Sequence, residues 1–243
     1  MTQIIIYGAI SGLALLLGAL CGIIFHFSQK TIARFMAFGA GVLICALTFG
    51  LMEEAFEHGG FDAVIIGFLV GGLVFILGDY FLHLWGGRTQ KRHQHARPLT
   101  EPSGTLITLG AMLDGIPESI ALGIALFAGQ GRGLLMLVAI VLSNFPESIS
   151  SITGLRREGY HNRRIITLWA SVGILTAVVA IFSYVFLNNI NANIIGIIEA
   201  FAAGAILAML ADSMMPEAYE EGGFTIGILT ILGFLVAFII SRY

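Results

Sequence analysis

Long apolar runs separated by short polar stretches dominate this chain. Each run is close to the roughly 20 residues that a helix needs to cross a hydrocarbon core of about 30 Å. Eight runs are predicted to be transmembrane helices: Ile4–Phe25, Ile32–Met52, Phe61–Leu84, Gly104–Phe127, Leu134–Gly154, Ile165–Leu187, Ile194–Met215 and Phe224–Ile240. The pattern therefore predicts an all-α, polytopic membrane helical bundle that forms a single transmembrane domain over residues 1–243.

Composition supports a membrane protein. Hydrophobic residues make up 57% of the chain and charged residues only 11%, whereas about a quarter of a typical soluble domain is charged. The first run is too long for the apolar core of a cleavable signal, so it is expected to remain as a helix. The lipid bilayer is the expected surroundings, and no nucleic-acid partner is expected.

The distribution of basic residues predicts the orientation, because cytoplasmic loops carry an excess of Lys and Arg. Ten of the 12 basic residues adjoin the connections after the first, third and fifth runs: Lys30, Arg34, Arg88, Lys91, Arg92, Arg97, Arg156, Arg157, Arg163 and Arg164. Both termini are therefore predicted to lie outside the cytoplasm. The bundle itself is expected in the plasma (inner) membrane. The histidine-bearing loop 86–103 is predicted to be cytoplasmic.

Acidic residues cluster at two opposite ends of the predicted bundle. The outer cluster contains Glu53, Glu54, Glu57 and Asp62, and the inner cluster contains Glu217, Glu220 and Glu221. Such clusters can be solvated helix ends. Alternatively, they can raise the local concentration of cations at each mouth of a pathway.

An internal repeat relates the second and seventh runs. With a shift of 163 residues, Phe38–Phe61 aligns on Phe201–Phe224 with 11 identities in 24 positions. The two runs are five steps apart in an alternating bundle and so have opposite orientations. An inverted repeat of this kind is common in secondary transporters.

A second repeat relates the fourth and fifth runs. Leu113–Ile120 aligns on Leu142–Ile149 with five identities in eight positions, including a Pro-Glu pair in each. Together the two repeats predict a 3+2+3 arrangement with the two Pro-Glu helices at the centre.

Glu118 and Glu147 are the strongest functional signal, because a carboxylate at mid-membrane usually faces a cavity, a partner or an ion path. Each follows a proline, and a proline inside a helix leaves one backbone carbonyl without its donor. The freed carbonyls of Leu113 and Leu142 are candidate oxygen ligands.

Helical spacing adds three residues to the candidate site. Asp114 lies four residues before Glu118, Ser143 lies four before Glu147, and Asn144 lies three before Glu147. Residues at these spacings share a helix face. Two antiparallel helices could thus bring five oxygen-bearing side chains together, a set suited to a divalent cation.

Other polar and soft side chains are weaker candidates. Asp212, inside the seventh run, could relay the ion or be a structural partner of a neighbouring residue. Cys45, Met112 and Met209 could add soft ligands or could simply pack in the core.

On these motifs the chain resembles the ZIP (Zrt-/Irt-like protein) family of divalent metal transporters. The resemblance covers eight spans, outward termini, the histidine-bearing loop and the Pro-Glu pairs. Glu118 and Glu147 match the family motifs directly, whereas Asp114 and Gly115 stand where His and Asn are usual. The resemblance implies uptake of zinc, iron or manganese toward the cytoplasm, a homodimer, and no cofactor besides the transported metal.

The departures from the family motif predict a different metal preference. No histidine lies at the expected position, and the sixth run has no acidic residue to complete a binuclear site. Hard oxygen ligands favour manganese or ferrous iron over zinc, although carboxylates also bind zinc.

Two other functions are compatible with the sequence. One is an intramembrane metal-dependent hydrolase, which would need a metal held by His or Cys ligands with an open position. The other is a membrane protein that senses metal without transporting it. The inverted repeat favours transport over both.

Overall fold

The computed structural model describes residues 1–84, 104–187 and 190–242, and the predicted cytoplasmic loop 86–103 lies outside the described residues. All regular structure in the described parts is helical. The α-helices are α1 (Thr2–Ile24), α2 (Gln29–Ala46), α3 (Glu53–Leu84), α4 (Gly104–Ala128), α5 (Gln130–Arg157), α6 (Asn162–Leu187), α7 (Ala192–Met209), α8 (Met215–Gly222) and α9 (Thr225–Ile240), and two π-helical segments cover Leu47–Met52 and Leu210–Met214.

The all-α prediction is confirmed, but the count of eight spans is not reproduced. Within the described residues, six helical segments are long and apolar enough to cross a membrane. The second and third predicted spans form one segment of 54 residues, Gln29–Leu82, and the last, Thr225–Ile240, is a shorter apolar helix. The long segment contains two helices that meet at a non-helical residue, Gly60, near the point where the sequence predicts a turn.

The 54-residue segment is interrupted at Gly60, where φ is 66° and ψ is −167°. Glycine is essentially the only residue that adopts this region of backbone space without strain. Gly223 has nearly the same conformation, with φ 61° and ψ −143°, and separates α8 from α9. The two glycines are 163 residues apart, the shift of the sequence repeat.

Other landmarks of the repeat have the same spacing. Ser28 caps α2 by accepting a hydrogen bond from the Thr31 amide at 3.2 Å, and Asn191 caps α7 through the Ile194 amide at 3.0 Å. A side-chain cap of this kind satisfies an amide that lacks an intrahelical partner. Both helices then pass into a π-helical segment, at Leu47 and Leu210 respectively.

Close packing of helices also follows the repeat. Helix α2 packs on α9, and α7 packs on α3. A Cβ atom on Gly41 would collide with the Thr230 carbonyl, and one on Gly204 would collide with the Phe68 carbonyl. Small residues at such contacts allow the backbones of membrane helices to approach closely.

The exterior of the bundle is apolar and its centre contains the polar residues. Large side chains such as Leu17, Phe182 and Leu232 are about half or more exposed, whereas Asp114 and Glu118 are almost fully buried. Together with the long apolar helices, this distribution identifies an integral membrane protein. Helices α4 and α5 contact each other and lie between α1, α2, α6 and α7.

Candidate cation site

A small cavity lies where α4 and α5 meet α2, α7 and α8. Its volume is about 10 Å³, the space of roughly one water-sized sphere. Four of the six predicted site residues line it: Asp114, Glu118, Ser143 and Glu147. The remaining lining residues are Met36, Met209, Ser213, Met214 and Glu217.

Glu118 is the most deeply buried carboxylate of this cavity, with 1% of the residue exposed. The Ser143 hydroxyl donates a hydrogen bond to its Oε1 atom at 3.0 Å. Its Oε2 atom has no hydrogen-bond partner among the described residues. Asp114 and Glu147 line the same cavity as Glu118. The centre of the bundle therefore concentrates negative charge next to a carboxylate oxygen that can accept a cation.

Ser143 connects the two Pro-Glu helices. Its hydroxyl lies 3.0 Å from Glu118 Oε1 on α4 and also 3.0 Å from the Ile140 carbonyl on its own helix. One hydroxyl hydrogen serves both acceptors, so the bond to Glu118 can be exchanged for the bond to the backbone. Ser143 thus orients the carboxylate without neutralising it.

One of the two backbone carbonyls freed by proline is already in contact with another helix. Pro117 and Pro146 both lie inside continuous helices. A Cβ atom on Gly39 would lie only 2.6 Å from the Leu142 carbonyl oxygen. The backbone of α2 therefore packs directly against the part of α5 that carries Ser143.

Asn144 and Asp212 do not line the cavity. Asn144 is buried with 2% exposed, but it lies about 100° around the helix from Ser143. Asp212 is half-buried in the segment Leu210–Met214, and its neighbour Ser213 lines the cavity instead. The wider turn of a π-helix shifts the register of its side chains. A ligand role for Asn144 or Asp212 stays a prediction.

The lining acids surround the cavity without closing on one point. Among the described residues, no three His, Cys, Asp or Glu side chains are close enough together to hold a metal ion. The described acids therefore line a common cavity without forming a closed metal-binding cluster.

Four lining residues were not predicted as ligands from the sequence: Met36, Ser213, Met214 and Glu217. Of the three soft candidates, Met209 lines the cavity, but Cys45 and Met112 do not. The sequence predicts Glu217 only as a member of the acidic cluster at the inner end of the seventh run. Its position in a Pro-Glu pair, Pro216-Glu217, is the signal that could have related it to Glu118 and Glu147.

Two polar pairs involve residues of α3, in the first copy of the sequence repeat. Glu54, of which 1% of the side chain is exposed, pairs with Arg132 of α5. His58 Nδ1 lies 2.9 Å from Oε2 of the fully buried Glu199 on α7. Arg132 therefore supplies a cationic partner for the buried Glu54, and His58 supplies a hydrogen-bond partner for the buried Glu199.

A larger cavity of about 370 Å³ lies at the connection between α1 and α2. Its described lining contains His26 and Arg156 together with mainly apolar residues, and it contains no carboxylate. Its chemistry therefore does not suit a divalent cation.

No family model matches the chain. It is 28% identical over 178 residues to the zinc transporter GufA of Myxococcus xanthus, covering 68% of each chain. It is 26% identical over 233 residues to the zinc transporter ZupT of Shigella dysenteriae, covering 87% of this chain and 84% of ZupT. The chain is therefore similar, at low identity, to proteins named as zinc transporters.

A third relative is much longer than this chain. A candidate zinc transporter of Arabidopsis thaliana is 25% identical over 185 residues, which are 75% of this chain. The match spans only 29% of the plant protein. All three ZIP relatives are named as transporters, and none is named as an enzyme.

Proposed function

We propose that this chain transports a divalent metal cation across the membrane through the cavity between α4 and α5. Glu118 carries the proposal. It is a buried carboxylate with one oxygen unpartnered among the described residues, and it faces a cavity that Asp114 and Glu147 also line. Several negative charges in a low-dielectric interior are costly unless a cation compensates them.

The proposed topology has eight membrane crossings in a 3+2+3 arrangement. A straight helix of 54 residues would be about 80 Å long, far more than the roughly 30 Å of a hydrocarbon core. The break at Gly60 supports two crossings within Gln29–Leu82. The repeat of caps, π-helical segments and glycines at a spacing of 163 residues supports the internal symmetry.

Orientation, direction and assembly belong to the same proposal. The excess of basic residues in alternate connections supports termini outside the cytoplasm, with the bundle in the plasma (inner) membrane. The ZIP resemblance supports uptake toward the cytoplasm and a homodimer. The exposed apolar faces of the outer helices support contact with lipid.

Zinc is the cation that we propose as cargo. The oxygen ligands alone favour manganese or iron, but three thioether side chains, Met36, Met209 and Met214, also line the cavity. Thioether sulfur is a soft ligand and is not one that manganese or magnesium prefers. Named zinc transporters among the relatives point in the same direction.

Charge removal at the two Pro-Glu carboxylates tests the function. We expect Glu118→Gln and Glu147→Gln each to reduce zinc uptake into proteoliposomes about 100-fold, at the upper end of losses seen at metal sites. The glutamine side chain keeps the shape and removes the charge. Glu53→Gln is the matched control, because Glu53 is exposed at the start of α3.

The alternatives predict different results. A hydrolase would show metal-dependent cleavage and no uptake, and a sensor would bind zinc without moving it. Wild-type protein that binds zinc but takes up none would contradict the proposed transport. Equal uptake by wild type and both variants would contradict the site.

A further inference from the structure

Glu217 is a cavity-lining carboxylate that comes from neither Pro-Glu helix. It lies in α8, directly after Pro216, and lines the cavity together with Glu118 and Glu147. The Ser150 hydroxyl donates a hydrogen bond to its Oε1 atom. Ser150 follows Glu147 by three residues on α5, so the two lie on adjacent turns of one helix face. This bond places the Glu217 carboxylate beside the helix that carries Glu147.

The repeat supplies a direct comparison for Glu217. Glu54 is its counterpart at the spacing of 163 residues, and it is buried in an ion pair with Arg132. Among the described residues, no lysine or arginine pairs with Glu217. The Glu54 carboxylate is thus paired with the positively charged Arg132 of the same chain. The Glu217 carboxylate accepts a hydrogen bond from the neutral Ser150 and lies beside the cavity.

A second, independent observation in this cavity points to a cationic ligand. Glu118 Oε2 is buried and has no hydrogen-bond partner among the described residues. A buried carboxylate oxygen without a donor is costly. A cation in this cavity would stabilise Glu118 and would also supply Glu217 with the opposite charge that Arg132 gives Glu54.

We propose that Glu217 is a cation-binding residue of the transport cavity and that Ser150 is its positioning residue. This inference rests on the transport function proposed above. A divalent cation that contacts both Glu147 and Glu217 would link α5 to α8. Cargo binding would therefore involve one of the two central helices and one helix of the outer repeat.

Kinetics of zinc uptake test this proposal. We expect Glu217→Gln to raise the KM for zinc about 10- to 100-fold, the usual cost of losing a supporting contact at a metal site. Glu217→Asp retains the charge and should recover part of the affinity. Tyr219→Phe is the matched control, since Tyr219 is exposed on the same helix and belongs to neither acidic cluster, and its KM should equal that of wild type.

Ser150→Ala separates the positioning role from the charge. It leaves Glu217 ionisable and removes only the hydroxyl donor, so we expect KM to rise roughly tenfold with little change in the maximal rate. Zinc titration of the purified full chain should show a matching loss of affinity. If Glu217→Gln fails to insert, the Ser150→Ala result decides the question.

Failure of this inference differs from failure of the proposed function. One outcome would overturn only the role of Glu217. In that outcome the wild type takes up zinc, Glu118→Gln does not, and both Glu217→Gln and Ser150→Ala have the KM of the wild type. Absence of uptake by the wild type would overturn the transport function itself.

Discussion

At the scale of single residues, the proposed site combines hard and soft candidate ligands. Asp114 contributes a carboxylate at the position where ZIP motifs usually have histidine. Met36, Met209 and Met214 contribute thioethers from helices outside the Pro-Glu pair. Imidazole nitrogen is intermediate between these two ligand types and suits zinc. Residue 114 and the methionines should therefore affect selectivity separately.

We predict that Asp114→His increases the preference for zinc over manganese by roughly tenfold, because imidazole replaces a hard oxygen. The change is modest because Glu118 and Glu147 retain most of the charge. Competition between zinc and manganese for uptake by proteoliposomes measures the ratio.

Met209→Leu tests the contribution of a soft ligand to the preference for zinc. Leucine has a similar volume but no sulfur, so the preference for zinc should fall in the same competition assay. An unchanged metal ranking in both variants would show that selectivity is determined outside this cavity.

At the scale of elements, a few backbone features define where helices turn. Gly60 and Gly223 adopt positive φ at equivalent positions of the repeat, and each follows another glycine. The helix before each begins with a capped turn and passes through a π-helical segment. The equivalence indicates that the two halves fold by the same local rules.

We predict that Gly60→Ala and Gly223→Ala each reduce the free energy of unfolding by about 1–3 kcal/mol, because this backbone region is strained for residues with a Cβ atom. Thermal unfolding of the detergent-solubilised protein measures the loss.

Gly50→Ala is the matched control for the backbone effect. Gly50 lies in the first π-helical segment, and a Cβ atom there would meet no other atom within 4 Å. Its melting temperature should be close to that of wild type. An equal loss at Gly50 would contradict the prediction, because it would show that the loss does not depend on positive φ.

At the scale of the whole molecule, the charge asymmetry predicts how the bundle sits in the membrane. We expect a cysteine at Thr2 to react with an impermeant thiol reagent from outside intact cells, and a cysteine at Gln94 to be protected until the membrane is permeabilised. The background variant replaces Cys21 and Cys45, which lie in apolar helices. Labelling of position 94 from outside would reverse the orientation.

Much of the fold could be predicted from the sequence, because a membrane helix is recognised by its own length and hydropathy. The apolar runs of α1 and α4–α7 correspond to helices within a few residues. The predicted number of eight crossings stays a prediction. Whether the chain turns or continues at Gly60 depends on one pair of dihedral angles rather than on hydropathy.

Some residues of the candidate site could be predicted from the sequence and others could not. Asp114 with Glu118, and Ser143 with Glu147, were predictable because residues four apart share a helix face. Asn144 and Asp212 have suitable chemistry, but the turn of each helix keeps them away from the cavity. Helical spacing shows which residues share one face of a helix. It does not show which other helix packs against that face.

The sequence by itself determined the membrane class, the repeat and the two Pro-Glu carboxylates, because each depends on residues that are close together in the chain or on a repeated pattern. Only the tertiary structure brought Met36, Met209 and Glu217 to the same cavity. Glu217 reaches its partner Ser150 across a separation of 67 residues. Contacts at that distance depend on how complete helices pack, and local periodicity has no information about that packing.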